Sequence, residues 1–294
     1  MPLQFEHREH CPICRSVKTS TLFELSYRDA RLADYLTRFY QGRLPMDAIA
    51  DSHFHIVRCE ECHFIYQDSI LDDAGMALLY GDWVDQRASL LKKRQAKATL
   101  YRQYANQVQA IISLVKLPTH RINLLEVGMG WGYWSRMAQA HGINVYGFEL
   151  SEQRREHAES MGLQVITELD STGLSYHCIY ANQLFEHLAD PLGLLLTLTG
   201  LLSDDGIIYL RVPDGQGIEN ALQSHGWSPS MDAIHPLEHI NCFTRASLIA
   251  LGEKAGLQVI NPALKLNWGS LIGGVRRELA DRFFTTHIFL KRQN

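Results

Sequence analysis

Long hydrophobic runs are missing from this chain. The longest strongly apolar stretch, Pro191 to Leu202, falls well short of the roughly 20 residues that a membrane-spanning helix needs. The opening residues, MPLQFEHREHCP, hold no apolar leader segment, so a cytoplasmic location is expected. An excess of basic charge is also lacking. With 28 Lys and Arg against 32 Asp and Glu the net charge is −4, which argues against a general nucleic-acid binder. Internal repeats and low-complexity tracts are missing as well. What is present is an ordinary folded composition, 46% apolar with five Trp and twelve Tyr.

The 294 residues suffice for one large α/β domain and a smaller module. Residues 1–70 carry four of the six cysteines and read as a zinc-ribbon-like module. Residues 71–118 read as a helical linker or lid, with one long helix from Gln86 to Lys116. Residues 119–294 alternate short apolar strands with helical stretches. Strands are expected at Arg121–Val127, Asn144–Leu150, Gln164–Thr167, His177–Ala181, Gly206–Val212, Gln258–Ile260 and His287–Lys291. This pattern predicts a Rossmann-like, seven-stranded, mostly parallel sheet with helices on both faces and the last strand antiparallel.

The segment Leu124-Leu125-Glu126-Val127-Gly128-Met129-Gly130-Trp131-Gly132 carries the first functional signal. A buried strand runs into three alternate glycines, and a helix follows. Glycine permits the sharp turn and lets a ligand approach the main chain. Position 133 is Tyr133, so this is GxGxG and not the dinucleotide fingerprint GxGxxG. Glu126 would repel a pyrophosphate but suits a cationic ligand. Glu149, 19 residues past Gly130, ends the second strand, where a carboxylate can accept from both ribose hydroxyls.

These residues resemble motif I and the acidic loop of class I S-adenosylmethionine (SAM)-dependent methyltransferases. The likeness continues through Ile179 to Pro191, which resembles the fourth-strand segment of the small-molecule branch, and through Leu202–Gly206, similar to the turn before the fifth strand. It covers about residues 75–294. It implies SAM as cofactor, with Gly128, Gly130 and Gly132 at its amino-acid end and Glu149 at its ribose. Asn182 and Gln183 would lie beside the methionine portion, and Met129 and Leu150 complete the loop set. The resemblance further implies that Tyr80, Trp83 and Arg87, in the segment ahead of the domain, close over SAM; packing between modules is the alternative. The family often opens its fourth strand with an acid, where this chain has His177-Cys178, and the NPPY-type tetrapeptide is replaced by Asn182-Gln183-Leu184.

Two CxxC knuckles, Cys11/Cys14 and Cys59/Cys62, lie 44 residues apart. Doubled knuckles give a tetrahedral Cys₄ zinc site more readily than a redox pair. The spacer is expected to hold a helical insertion at Arg28–Tyr40. The region resembles the N-terminal zinc-binding part of the sugar C-methyltransferase group. Its eight basic and nine acidic residues up to position 62 do not make a phosphate-binding surface.

Methyl transfer to a hydroxyl or an acidic C–H needs a base near neutral pKa, which favours histidine. His187 and His239 are the first candidates and His235 the next, all at the expected carboxyl ends of strands; packing roles are the alternative for each. Pro236 argues against a helical pairing of His235 with His239. Some similar O-methyltransferases hold a divalent metal through an ExxEH segment; here it reads Gln183-Leu184-Phe185-Glu186-His187. The expected partner is a small-molecule acceptor, anionic or sugar-linked, with no nucleic acid and no membrane. The rival readings are an RNA or protein methyltransferase and a non-catalytic SAM-binding or zinc interaction module.

Overall fold

The computed structural model describes residues 3–224, 227–230, 232–261 and 285–293. The chain divides into two compact units. The first gathers Met1–Gln86, Phe185–Pro191 and Val212–Leu251, and the second Arg87–Leu184, Leu192–Arg211 and Gly252–Asn294. The division is therefore not the contiguous one at 70/71 and 118/119 that the sequence suggests. Its cause is long-range strand pairing: Asn241–Cys242 hydrogen-bonds to Ile65–Tyr66 and draws the segment after residue 211 into the N-terminal unit.

The strands in chain order are β1 (Phe5–His7), β2 (Thr19–Ser26), β3 (His53–Cys59), β4 (Ile65–Gln67) and β5 (Ser69–Leu71). There follow β6 (Asn123–Val127), β7 (Asn144–Phe148), β8 (Gln164–Ile166), β9 (Tyr176–Asn182) and β10 (Leu202–Pro213). The last three are β11 (Asn241–Cys242), β12 (Leu257–Ile260) and β13 (Thr285–Arg292).

In the first unit β11, β4, β3 and β2 form an antiparallel sheet in that order, and β1 pairs with β5. The expected insertion between β2 and β3 is the helix α1 (Ala30–Phe39). Asp29 caps it by accepting from the Arg31 N–H at 2.9 Å, and its Leu32 and Leu36, one turn apart, are fully buried. They enter a core with Tyr27, Phe54, Trp83 and Trp227.

The second unit holds the expected seven-stranded sheet, in the order β12-β13-β10-β9-β6-β7-β8. Strands β6 to β10 run parallel where they pair, and β12 is antiparallel to β13. The buried run Leu124, Leu125, Glu126, Val127 explains why β6 is central: both of its faces are covered. Beside it Trp134 stacks on Tyr180 with ring centroids 3.6 Å apart, and both donate to Gln107 Oε1, at 2.9 and 3.0 Å. No helix among the described residues is long and apolar enough to cross a membrane.

The helix expected over Gln86–Lys116 is two helices, α2 (Gln86–Arg94) and α3 (Ala98–Val115), with Lys97 extended between them. Neither proline nor glycine marks the break. The amphipathic stripe decides it: α3 buries Tyr104, Val108 and Ile111, whereas none of the described residues of α2 is buried.

Strand β10 starts earlier than the expected Gly206–Val212, and its register against β9 is irregular between Leu202 and Ile207. Gly206 sits in that irregularity. A Cβ there would lie 2.7 Å from Leu202 Cγ and 2.8 Å from the Tyr176 carbonyl oxygen, which belongs to the backbone and cannot rotate aside. Gly206→Ala should therefore cost about 1–3 kcal/mol in urea unfolding. An unchanged midpoint would contradict that packing.

Candidate donor, acid-base and metal sites

The glycine loop follows β6 in the second unit. Gly128, Gly130 and Gly132 all have positive φ, +71°, +54° and +74°, which L-residues rarely adopt. The N–H groups of Gly128 and Met129 donate to the Phe148 carbonyl at 2.8 and 3.1 Å, fastening the loop to the end of β7. The glycines differ in what surrounds them. A Cβ at Gly132 would meet Leu163 Cδ1 at 2.6 Å, whereas one at Gly130 would meet nothing within 4 Å. Gly130 thus borders open space. Met129 packs inward against Ala158 and Leu163.

Glu149, just past β7, is buried. Its Oε2 accepts from the Gly130 N–H at 2.8 Å and its Oε1 from the Ser151 N–H at 3.0 Å. Each oxygen keeps a further acceptor position. Arg154 lies 3.9 Å from Oε2. Glu126 is also buried and accepts from Ser135 Oγ. Burial pushes its carboxyl up to about 8, against the Ser135 hydrogen bonds and Lys93, which favour ionisation. Asn182 Oδ1 accepts from Arg211 at 3.0 Å, and Gln183, at φ +54°, donates its N–H to the Arg211 carbonyl. Leu150 is 78% exposed, and Arg87 is exposed on α2.

The other predicted side chains lie in the first unit. Tyr80 and Trp83 fall in a single π-helical turn, Leu79–Trp83. Trp83 is built into the core beside Tyr40, while the Tyr80 hydroxyl is 2.9 Å from His187 Nδ1. That nitrogen is also 3.0 Å from the Glu238 carbonyl oxygen. A carbonyl only accepts, so neutral His187 carries its proton on Nδ1 and its lone pair on Nε2. His239 is fixed the same way, by Nδ1–H donation to the Asp232 carbonyl. The His187 and His239 rings are 4.8 Å apart. Burial lowers the His239 imidazolium below its usual range. His235 is fully buried, its Nε2 2.8 Å from the Tyr35 hydroxyl, and burial drops its pKa to about 3, so it is the weakest base of the three. As Pro236 suggested, His235 and His239 share a loop, closed by a single bridge between them.

Glu186, His187 and His239 each offer one ligand atom, and these lie within 4.8 Å of one another. The same holds for Cys11, Cys14, Cys59 and Cys62, with Cys11–Cys62 and Cys14–Cys59 sulfurs 3.5 Å apart. Tetrahedral zinc with bonds of about 2.3 Å spaces its sulfurs about 3.8 Å apart, so the four thiols fit that ion. Cys178 and Cys242 are buried elsewhere, and burial raises both thiols.

Sequence reasoning missed Ser89, Trp131 and Arg154 around the loop. Trp131 donates Nε1–H to Ser89 Oγ at 3.0 Å, and the Arg154 guanidinium lies 5.8 Å from the Trp131 ring centroid. A buried tryptophan between two loop glycines was the available signal. Tyr35 and Asp232, partners of the histidines, left no local sign.

A family model described as a methyltransferase domain matches residues 81–261. The ubiquinone biosynthesis O-methyltransferase of Actinobacillus pleuropneumoniae serotype 7 (strain AP76) is 25% identical over 160 residues, 49% of this chain. The chain spans 62% of that relative's length. Among solved structures, the plantazolicin methyltransferase BamL, in complex with a triazolic desmethylPZN analogue and SAH, shares the fold. The TM-score is 0.52 at 14% identity, covering 75% of this chain and 95% of that one. The SAH-bound magnesium protoporphyrin IX methyltransferase of Synechocystis PCC 6803 gives a TM-score of 0.50 at 14% identity, covering 76% and 100%.

The raised Glu126 carboxyl has a consequence for stability. Between its ordinary 4.5 and about 8 the folded chain holds a proton that the unfolded chain releases, so stability falls as pH rises through that window and levels above it. Glu126→Gln removes this slope. Urea unfolding from pH 5 to 9 should show the variant gaining on the wild type by on the order of a few kcal/mol. Parallel profiles would show that Glu126 is ionised throughout.

Proposed function

The chain belongs to the methyltransferase domain family, and on that premise we propose that it moves the methyl group of SAM to a small-molecule acceptor, at oxygen or carbon. The observation that carries the donor is the Glu149 carboxylate bridging the Gly130 and Ser151 N–H groups beside open space. Its remaining acceptor positions suit the two ribose hydroxyls. Gly128, Gly130, Gly132 and Glu126 are proposed for the amino-acid end, where sulfonium and ammonium charges favour a carboxylate. Asn182 and Gln183 are proposed beside the methionine portion, and Arg87 joins the donor set.

Methyl transfer is an in-line displacement in which positioning supplies much of the rate. Deprotonation of the acceptor is assigned to Nε2 of His187 or His239, and Tyr80, hydrogen-bonded to His187, is assigned to orient that ring. The curated relative's name places it in ubiquinone biosynthesis, which fits a small acceptor; an anionic or sugar-linked one stays within the proposal. We assign a structural zinc to Cys11, Cys14, Cys59 and Cys62. The Glu186, His187 and His239 donors favour one second reading, in which a divalent cation holds the acceptor oxygen.

Isothermal titration of SAM should show Glu149→Ala weakened by about 1–3 kcal/mol and His239→Ala unchanged. With an acceptor found by screening for S-adenosylhomocysteine release, His239→Ala should turn over roughly 100-fold more slowly. Unaltered affinity in the first, or wild-type rates in the second, removes the role concerned. Metal analysis should find about one zinc per chain, lost in Cys59→Ser. A second ion that survives Cys59→Ser and disappears in Glu186→Gln favours the second reading; a zinc-free wild type ends the ribbon assignment.

A further inference from the structure

Helix α2 meets the glycine loop at Trp131. This residue stands in the chain between Gly130 and Gly132, and its side chain is buried, so the indole N–H needs a partner. Ser89 Oγ on α2 provides it at 3.0 Å. An indole N–H only donates, so the serine hydroxyl is the acceptor. The Trp131 ring also meets His157 edge-on, with centroids 5.4 Å apart, from the helix Glu152–Ser160. The indole is thus held between two helices of its own unit.

The two halves of the loop are fastened differently. Gly128 and Met129 donate to the Phe148 carbonyl, and Met129 packs on Ala158 and Leu163. Gly130 borders open space; its N–H goes to Glu149 Oε2 at 2.8 Å, and the next side chain along goes to Ser89. The open half is therefore fixed on one side by the carboxylate proposed for the ribose and on the other by α2. That helix is itself lightly held. It buries no residue, and it is followed by the extended Lys97. Lys93, one turn from Ser89 on the same face, donates to the Tyr104 hydroxyl on α3 at 3.3 Å. An element with so little burial docks and releases at small free-energy cost.

Resting on the donor reading above, we propose that Ser89 is a positioning residue. Through the Trp131 indole it holds Gly130, and with it the Gly130–Glu149 hydrogen bond, in the arrangement that receives the donor nucleoside. Binding of the donor and docking of α2 are then one coupled equilibrium, and each strengthens the other by the same factor. The serine touches no reacting atom; its effect passes through the loop, so it acts on SAM and S-adenosylhomocysteine alike.

The test is donor affinity by calorimetry on the full chain, with limited trypsin digestion beside it. Ser89→Ala should weaken both SAM and S-adenosylhomocysteine by about three- to tenfold, the scale of one hydrogen bond. Ser89→Thr, which keeps the hydroxyl, should restore the wild-type affinity. Trp131→Phe keeps a ring and lacks the N–H, and in that background Ser89→Ala should cost nothing further. Trypsin cuts after Lys92, Lys93 and Arg94 in α2. Saturating SAM should slow those cuts in the wild type and leave them unslowed in Ser89→Ala. Wild-type affinity in Ser89→Ala overturns the proposal, as do losses that add in the double variant or a SAM effect on cleavage that survives the substitution. A serine that only steadies the fold would lower the urea midpoint and leave affinity alone, which is the first of those results. A wild type that binds neither ligand sinks the donor reading itself, an outcome distinct from all three. Because α2 buries no residue, Ser89→Ala leaves the core untouched.

Discussion

One carboxylate holds the glycine loop in place. Glu149 takes the Gly130 N–H on one oxygen and the Ser151 N–H on the other, cross-linking the glycine loop to the start of the next helix. Hydrogen bonds to an ionised acceptor are among the stronger ones, and here the acceptor is buried. The loop has the opposite tendency. Its three glycines hold positive φ, and at Gly130 a Cβ would meet nothing within 4 Å. Without Glu149 the loop would keep the Phe148 carbonyl and the Trp131–Ser89 hydrogen bond as its remaining tethers. The loop conformation and the proposed donor contact thus depend on the same group.

Legibility in the sequence follows the range of the interactions. The glycine loop and Glu149 were readable because strand, turn and helix are contiguous and the acid sits at a fixed spacing. The Cys₄ cluster was readable because two CxxC knuckles constrain geometry regardless of what separates them. By contrast, nothing local marks Asn241–Cys242 as a partner of Ile65–Tyr66, a pairing that spans most of the chain. The break between α2 and α3 was invisible for a related reason: its residues carry no breaker, and only burial of Tyr104, Val108 and Ile111 sets where α3 begins to pack. Trp83 could be read as a ligand contact because a tryptophan in a linker is conspicuous; its place in the core appears only when α1 is folded over it.

The histidines show how much chemistry a backbone carbonyl can set. The Glu238 and Asp232 carbonyls choose the same tautomer for His187 and His239, so both present Nε2 as the basic atom. His235, immediately before Pro236 and four residues from His239, meets a tyrosine hydroxyl, and burial keeps it neutral. Three similar side chains in one unit therefore differ in role through their partners, which no spacing rule reports.

The geometry also gives the N-terminal module a purpose that its composition could only hint at. Immediately after the second cysteine knuckle, β4 leads to Gln67, whose side-chain amide donates to the carbonyls of both His235 and His239, at 2.7 and 2.9 Å. Asn241, on β11 against β4, donates to the carbonyls of Phe185 and Leu188, on either side of Glu186 and His187. Arg8, three residues before Cys11, joins these pieces by donating to the Gln67 carbonyl, Asn241 Oδ1 and the Ala189 carbonyl. The segments flanking the cysteines are thus the frame on which the His187 and His239 segments are hung.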